Sequence, residues 1–118
     1  MLDGEDFEAR SAALLQRAGF RIVARRFRCA LGELDLVAED GTRLLFVEVR
    51  ARSHRQWGGA AASVDGRKQC KLARTAALFL KRHPQWKSLP CRFDVIAWEP
   101  ERSGAALSPR WIPAAFTG

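Results

Sequence analysis

Apolar residues recur at a helical interval near the start of the chain. Phe7, Leu14 and Leu15 share a side, Asp3 offers a cap and Gly19 a stop, so the pattern predicts a helix over residues 3–19. The interval then shortens. Residues 20–29 alternate imperfectly through Phe20, Ile22 and Phe27 and predict a strand. Residues 33–39 predict a second, with Leu34, Leu36 and Ala38 on one face and Glu33, Asp35 and Val37 on the other. Asp40-Gly41 is a strong hairpin signal, and residues 43–50 supply a third strand antiparallel to the second. Residues 51–64 hold no stable period and read as a loop. Ser63 or Asp65 can cap a second helix with the stripe Leu72, Ala73, Ala76, Phe79 and Leu80, which runs to about residue 83, where Pro84 ends it. Residues 92–98 make a fourth strand, and the last stretch reads as a tail whose Trp111 and Phe116 could pack back on the core.

The order α-β-β-β-α-β is that of an α/β domain with a mixed central sheet flanked by helices. Leu, Ile, Val and Phe make up about a quarter of the 118 residues, above the roughly 20% below which a charged chain stays disordered. One domain over 1–118 is expected, with its core at about 3–99 and a tail at 100–118 packing on it. The longest apolar run, from Ala76 to Leu80, is far short of the ~18 residues of a membrane span. An acidic N-terminus without an apolar segment does not read as a secretory signal. Cys29, Cys70 and Cys91 are odd in number and lack CxxC spacing, which argues against a disulfide framework or a zinc site. They read as small core residues in a cytoplasmic protein.

Charge changes the picture. Lys and Arg number 20 against 13 Asp and Glu, a net +7. Between residues 9 and 98 the only acids are Glu33, Asp35, Glu39, Asp40, Glu48, Asp65 and Asp94. Such a surplus attracts phosphate polymers, and Arg forks onto phosphate bidentately. Solubility charge in an Arg-rich proteome is the blander explanation. Arg52, Arg55, Arg67, Lys68, Lys71 and Arg74 form the candidate nucleic-acid patch, whose alternative is a solvated helix face. Trp57, in Trp57-Gly58-Gly59, could stack on a base or serve as a core lid. His54 has no partner motif, and Arg21, Arg25, Arg26 and Arg28 extend the basic surface or line a strand's wet side.

Acids are depleted in strands, yet Asp35 and Glu48 sit in strands of Leu and Val. Counted outward from the turn at 40–42, Asp35 lies opposite a residue around 46–48, so the two carboxylates can meet. Two acids that close need a cation between them, and hard oxygen ligands suit Mg²⁺ or Mn²⁺. Arg50, two positions beyond Glu48, projects from the same side and could contact a phosphate. Glu8 could complete the cluster. In the competing arrangement Glu48 and Arg50 form a partly exposed ion pair while Asp35 faces solvent. Asp94, a further acid in a strand, is expected to pair structurally with Arg92 or another Arg.

Five ordered blocks carry a resemblance: Gly32-Glu33-Leu34-Asp35-Leu36-Val37, Phe46-Val47-Glu48-Val49-Arg50-Ala51-Arg52, Gly58-Gly59-Ala60, Lys68-Gln69 and Cys91-Arg92-Phe93-Asp94-Val95. In order and spacing the chain resembles the YraN family, with Trp111-Ile112 like that family's tail. The resemblance implies a restriction-endonuclease-like fold similar to Holliday-junction resolvases. It also implies metal-dependent hydrolysis of phosphodiester bonds, in structured or branched DNA, and a homodimer. Carried over by position, the helix glutamate falls on Glu8 (with Glu5 as rival), the strand aspartate on Asp35 and the E-x-K pair on Glu48 and Arg50. The metal, Mg²⁺ or Mn²⁺, would take Asp35, Glu48 and Glu8. Arg50 departs from the usual lysine: it is permanently protonated and cannot act as a general base. It can hold a phosphate, and Lys68 or Lys71 could approach from the second helix. Two rival readings are an inactive nucleic-acid-binding module and a protein-interaction domain.

Overall fold

The computed structural model describes residues 4–51, 64–101 and 106–117, with side chains from Phe7 onward. Helix α1 spans Gly4–Arg17, strands β1 Arg21–Cys29, β2 Gly32–Glu39 and β3 Leu44–Ala51, helix α2 Gly66–Arg82, and strands β4 Cys91–Pro100 and β5 Leu107–Phe116; a short 3-10 turn covers Pro84–Trp86. The sheet order is β1-β2-β3-β4-β5. Among the described strands only β3 and β4 run parallel. A parallel pair needs a crossover, and α2 lies within the connection between these strands.

The predicted α/β class and the order α-β-β-β-α-β are found, and the mixed sheet has the layout of a nuclease-like core. The β2–β3 hairpin turns where Asp40-Gly41 requires: Gly41 adopts φ +89°, and Asp40 Oδ1 accepts the N–H groups of Thr42 and Arg43 at 2.9 and 3.0 Å. Asp65, one of the two candidate caps, accepts the Lys68 N–H at 3.0 Å.

Two apolar layers sandwich the sheet. On the α2 side Phe46, Leu72, Ala76, Phe79 and Val95 pack together. On the other, Phe7, Ala12 and Leu15 of α1 meet Leu36, Leu45, Val47, Ile96 and Trp98. Trp98 sets the seat of α1: its ring lies 5.3 Å from that of Phe7, and its Nε1–H donates to buried Ser11 Oγ at 2.9 Å. That fixes the turn carrying Glu8.

Three expectations need correction. The stretch at 107–116, expected as a tail packing on the core, does pack there but as a strand paired antiparallel with β4. Trp111, Ile112 and Phe116 are its partly buried core contacts. Asp94 holds it in place. This fully buried carboxylate accepts from Arg92 Nε and Nη2 at 2.9 Å, Trp111 Nε1 at 2.8 Å and Ala114 N–H at 3.0 Å, so the expected pairing with Arg92 is present and extended. Second, Leu34 packs on the α2 side whereas Leu36 and Ala38 pack on the α1 side, so strict alternation breaks at Asp35. Arg26, which falls opposite Asp35 between the pairs Arg25↔Leu36 and Phe27↔Leu34, adopts φ +51° there. A non-glycine residue in that region marks a kink. Third, the cysteines are not core residues: Cys70 and Cys91 are exposed and Cys29 half-buried, Cys70 lying on the outer side of α2.

Candidate active site

The hairpin ladder pairs Glu39 with Leu44, Ala38 with Leu45, Val37 with Phe46 and Leu36 with Val47. Asp35 and Glu48 occupy the next step, where the ladder ends. There the Val49 N–H donates to Asp35 Oδ2 at 2.8 Å, so the ladder continues for one bond through a carboxylate. The Asp35 carboxyl lies beside that of Glu48 and feels its charge. Burial drives the Asp35 carboxyl from its ordinary 3.8 up to about 8; the Glu48 carboxyl and its charge act the same way, while the Val49 N–H and Arg50 pull weakly downward. Burial and the charge of Glu48 thus both favour the protonated form of Asp35. Of the competing arrangement, the Glu48–Arg50 ion pair is present, but Asp35 is half-buried and bound to the Val49 N–H rather than turned to open solvent.

Glu48 is buried, and two cations reach its Oε2: Arg50 Nη2 at 3.3 Å and Lys68 Nζ at 3.3 Å. The same-side projection expected of Arg50 is therefore found. Its Nε is buried and makes no hydrogen bond among the described residues. Lys68 belongs to the first turn of α2. Of the two lysines expected to approach from the second helix, the seating of α2 on the sheet brings the Lys68 ammonium to Glu48, while Lys71 is exposed.

Glu8 lies on the α1 side. It shares a cavity of about 260 Å³ with Phe7, Arg26, Arg28, Glu33, Asp35, Val49 and Ala51. Its two carboxylate oxygens accept from Arg26 Nε at 3.1 and 3.2 Å, and Glu33 accepts from Arg28 Nε at 2.7 Å. Asp35 thus joins two neighbourhoods, with Glu48 on one side and Glu8 across the cavity on the other. Among the described residues no group of three His, Cys, Asp or Glu side chains converges as a metal cage. The pairing of Arg26 with Glu8 had no signal in the sequence, because it depends on the kink of β1. The side chain of rival Glu5 falls outside the described residues.

Of the nucleic-acid patch, Arg67, Lys71 and Arg74 are exposed along one stripe of α2, spaced four and three residues apart. Arg52, Arg55 and Trp57, like His54, lie outside the described residues. No helix among the described residues is long and apolar enough to cross a membrane.

The oxygen-only donor pair fits a hard divalent cation. Two neighbouring carboxyl groups, one of them raised by burial and by the other's charge, are the arrangement such an ion relieves. Comparison with known proteins adds kinship without chemistry. Residues 7–98 match the model of "Uncharacterised protein family UPF0102". A UPF0102 protein of Pseudomonas fluorescens is 49% identical over 113 residues, covering 96% of this chain and 91% of the relative. One from Alcanivorax borkumensis is 48% identical with 96% and 90% covered, and one from Stutzerimonas stutzeri 48% with 96% and 92%. A match along most of the chain, with relatives near half identical over almost their whole length, bears out the resemblance read from the five blocks: the chain belongs to the uncharacterised protein family UPF0102.

Proposed function

We propose that this protein is a metal-dependent endonuclease that hydrolyses phosphodiester bonds in DNA, with structured or branched DNA as its substrate. The observation that carries the reading is the Asp35–Glu48 pair at the end of the hairpin ladder: burial first, and then Glu48, hold the Asp35 carboxyl up at about 8, and Arg50 and Lys68 flank Glu48. Asp35 and Glu48 would hold Mg²⁺ or Mn²⁺, and Glu8 would assist after Arg26 gives up its carboxylate. A hard dication in such a site supplies an acidified water and charge neutralisation at phosphate. The chain's own part is otherwise electrostatic. Arg50 cannot take a proton, so it serves as a fixed positive charge for the phosphate as negative charge builds on its oxygens. The exposed Arg67, Lys71 and Arg74 stripe supports a track for the sugar-phosphate backbone. Three free cysteines agree with a cytoplasmic setting.

A second reading has its own observation. The carboxylate of Glu8 is already held by Arg26 on both oxygens, which favours a binding module that keeps the fold without hydrolysis. A labelled panel of duplex, single strand, flap and four-way junction, with Mg²⁺ or Mn²⁺, separates the two. Cleavage by the wild type and none by Asp35→Ala/Glu48→Ala is expected. DNA retarded but uncut, equally by both proteins, refutes the nuclease and leaves the binding module. Its affinity would then fall with salt at a log–log slope near −0.9 per phosphate contacted.

A further inference from the structure

Two cations share one oxygen of Glu48, and their situations differ. Arg50 is pinned: its side chain is 25% exposed, its Nε is buried without a hydrogen bond among the described residues, and it extends from the middle of the sheet. Lys68 is 37% exposed and rides on the first turn of α2, which Asp65 caps through the Lys68 backbone N–H. Its ammonium is a point charge on a flexible four-carbon stem, free to re-aim without moving the helix. Glu48 is 4% exposed, and Lys68 covers the same carboxylate oxygen that Arg50 reaches.

We propose that Lys68 is the phosphate-positioning residue of this site, resting on Glu48 until a divalent cation takes that carboxylate and then turning to a non-bridging oxygen of the DNA phosphate. The inference rests on the reading of Asp35 and Glu48 as a cation site. A dication and an ammonium compete for the same carboxylate, and their mutual repulsion drives out the more mobile one. The displaced ammonium remains at the mouth of the site, beside the exposed Arg67 and Lys71 of the same helix. No proton need move at Lys68; it contributes charge and position only. Arg50 stays behind as the fixed cation. The site would thus hold its phosphate from two elements, a strand and a helix.

Competition gives the test its sign. In Lys68→Met, Mn²⁺ should bind as tightly as in the wild type or several-fold tighter, read from the Mn²⁺ dependence of the melting temperature without DNA. Cleavage of the preferred substrate should fall about 10²-fold in kcat, as on loss of one charge-stabilising donor, with KM within about threefold. Lys68→Arg restores the charge and should recover cleavage to within about tenfold. Lys68→Gln repeats the measurement should the methionine variant fold poorly. A purely structural Lys68–Glu48 pair predicts the reverse: weaker Mn²⁺ binding, as in Glu48→Gln. That result overturns the proposal, as does unchanged kcat in Lys68→Met, or a Lys68→Arg as slow as Lys68→Met. Should the wild type neither bind Mn²⁺ nor cleave, the nuclease reading falls and this one with it. Cleavage that needs Asp35 and Glu48 but ignores Lys68 sinks this inference alone.

Discussion

Replacing Asp35 by Asn should make the metal-free protein more stable in alkaline buffer. The amide has the shape of the protonated carboxyl: its oxygen can accept the Val49 N–H, and its NH₂ can donate to Glu48. In the wild type the Asp35 carboxyl titrates at about 8 when folded and near 3.8 when unfolded. Between those values the folded state holds a proton that the unfolded state has lost. Its contribution to stability is full below 3.8, declines as pH rises, and levels off above about 8. From pH 6 to pH 8 the linkage relation gives a loss of about 2 kcal/mol, an upper figure because the site is partly open to solvent. For a domain of this length that is on the order of 8 °C in melting temperature. Calorimetric melting in chelator across pH 5.5–8.5 should show wild type falling by several degrees more than Asp35→Asn. Mn²⁺ at pH 8 should recover the loss in wild type and do little for the variant. A wild-type melting temperature flat between pH 6 and 8, or an Asn variant destabilised equally at every pH, would refute the carboxyl pairing on which the candidate site stands.

Two further substitutions probe the frame around the site. Asp94→Ala leaves Arg92 and the Trp111 indole N–H without their buried acceptor. It should cost about 3–5 kcal/mol, and hydrogen exchange should show β5 losing protection before β2 and β3. Gly32→Ala sets a methyl group at φ +151°, 3.0 Å from Thr75 Oγ1, which itself donates to the Lys71 carbonyl at 2.8 Å. A loss of about 1–3 kcal/mol in denaturant unfolding is expected, and an unchanged midpoint would mean that β2 and α2 have room to part.

Where local chemistry dictates geometry, the sequence was readable. Asp40-Gly41 sets the hairpin, the hairpin sets the register, and the register carries Asp35 to the level of Glu48 before any packing is considered. Arg50 follows from the two-residue period of the strand. The capping Asp65 was one of two legible choices. What depends on distant packing was hidden. Alternation assigned Leu34 and Leu36 to one face, but the kink shared by Arg26 and Asp35 sends them to opposite layers. The sequence offered Lys68 or Lys71 as the cation from the second helix, and the choice of Lys68 depends on how Leu72, Ala76 and Phe79 seat α2 on the sheet. Strand β5 escaped notice because Pro109 and Pro113 interrupt it, and proline argues against a strand unless that strand lies at an edge.

Those prolines have a consequence for how the molecule meets copies of itself. The outermost strand of a sheet is an open row of donors and acceptors that invites another chain to dock alongside and polymerise. Here β5 forms one border, and at Pro109 and Pro113 it has no N–H to offer a newcomer. The opposite border, β1, presents exposed Arg21, Arg25 and Arg28 and is bent at Arg26 by its left-handed backbone, so a second β1 would meet like charge and a broken line of partners. Both flanks therefore resist zipping into longer sheets, which keeps each hairpin and its two acids within its own subunit.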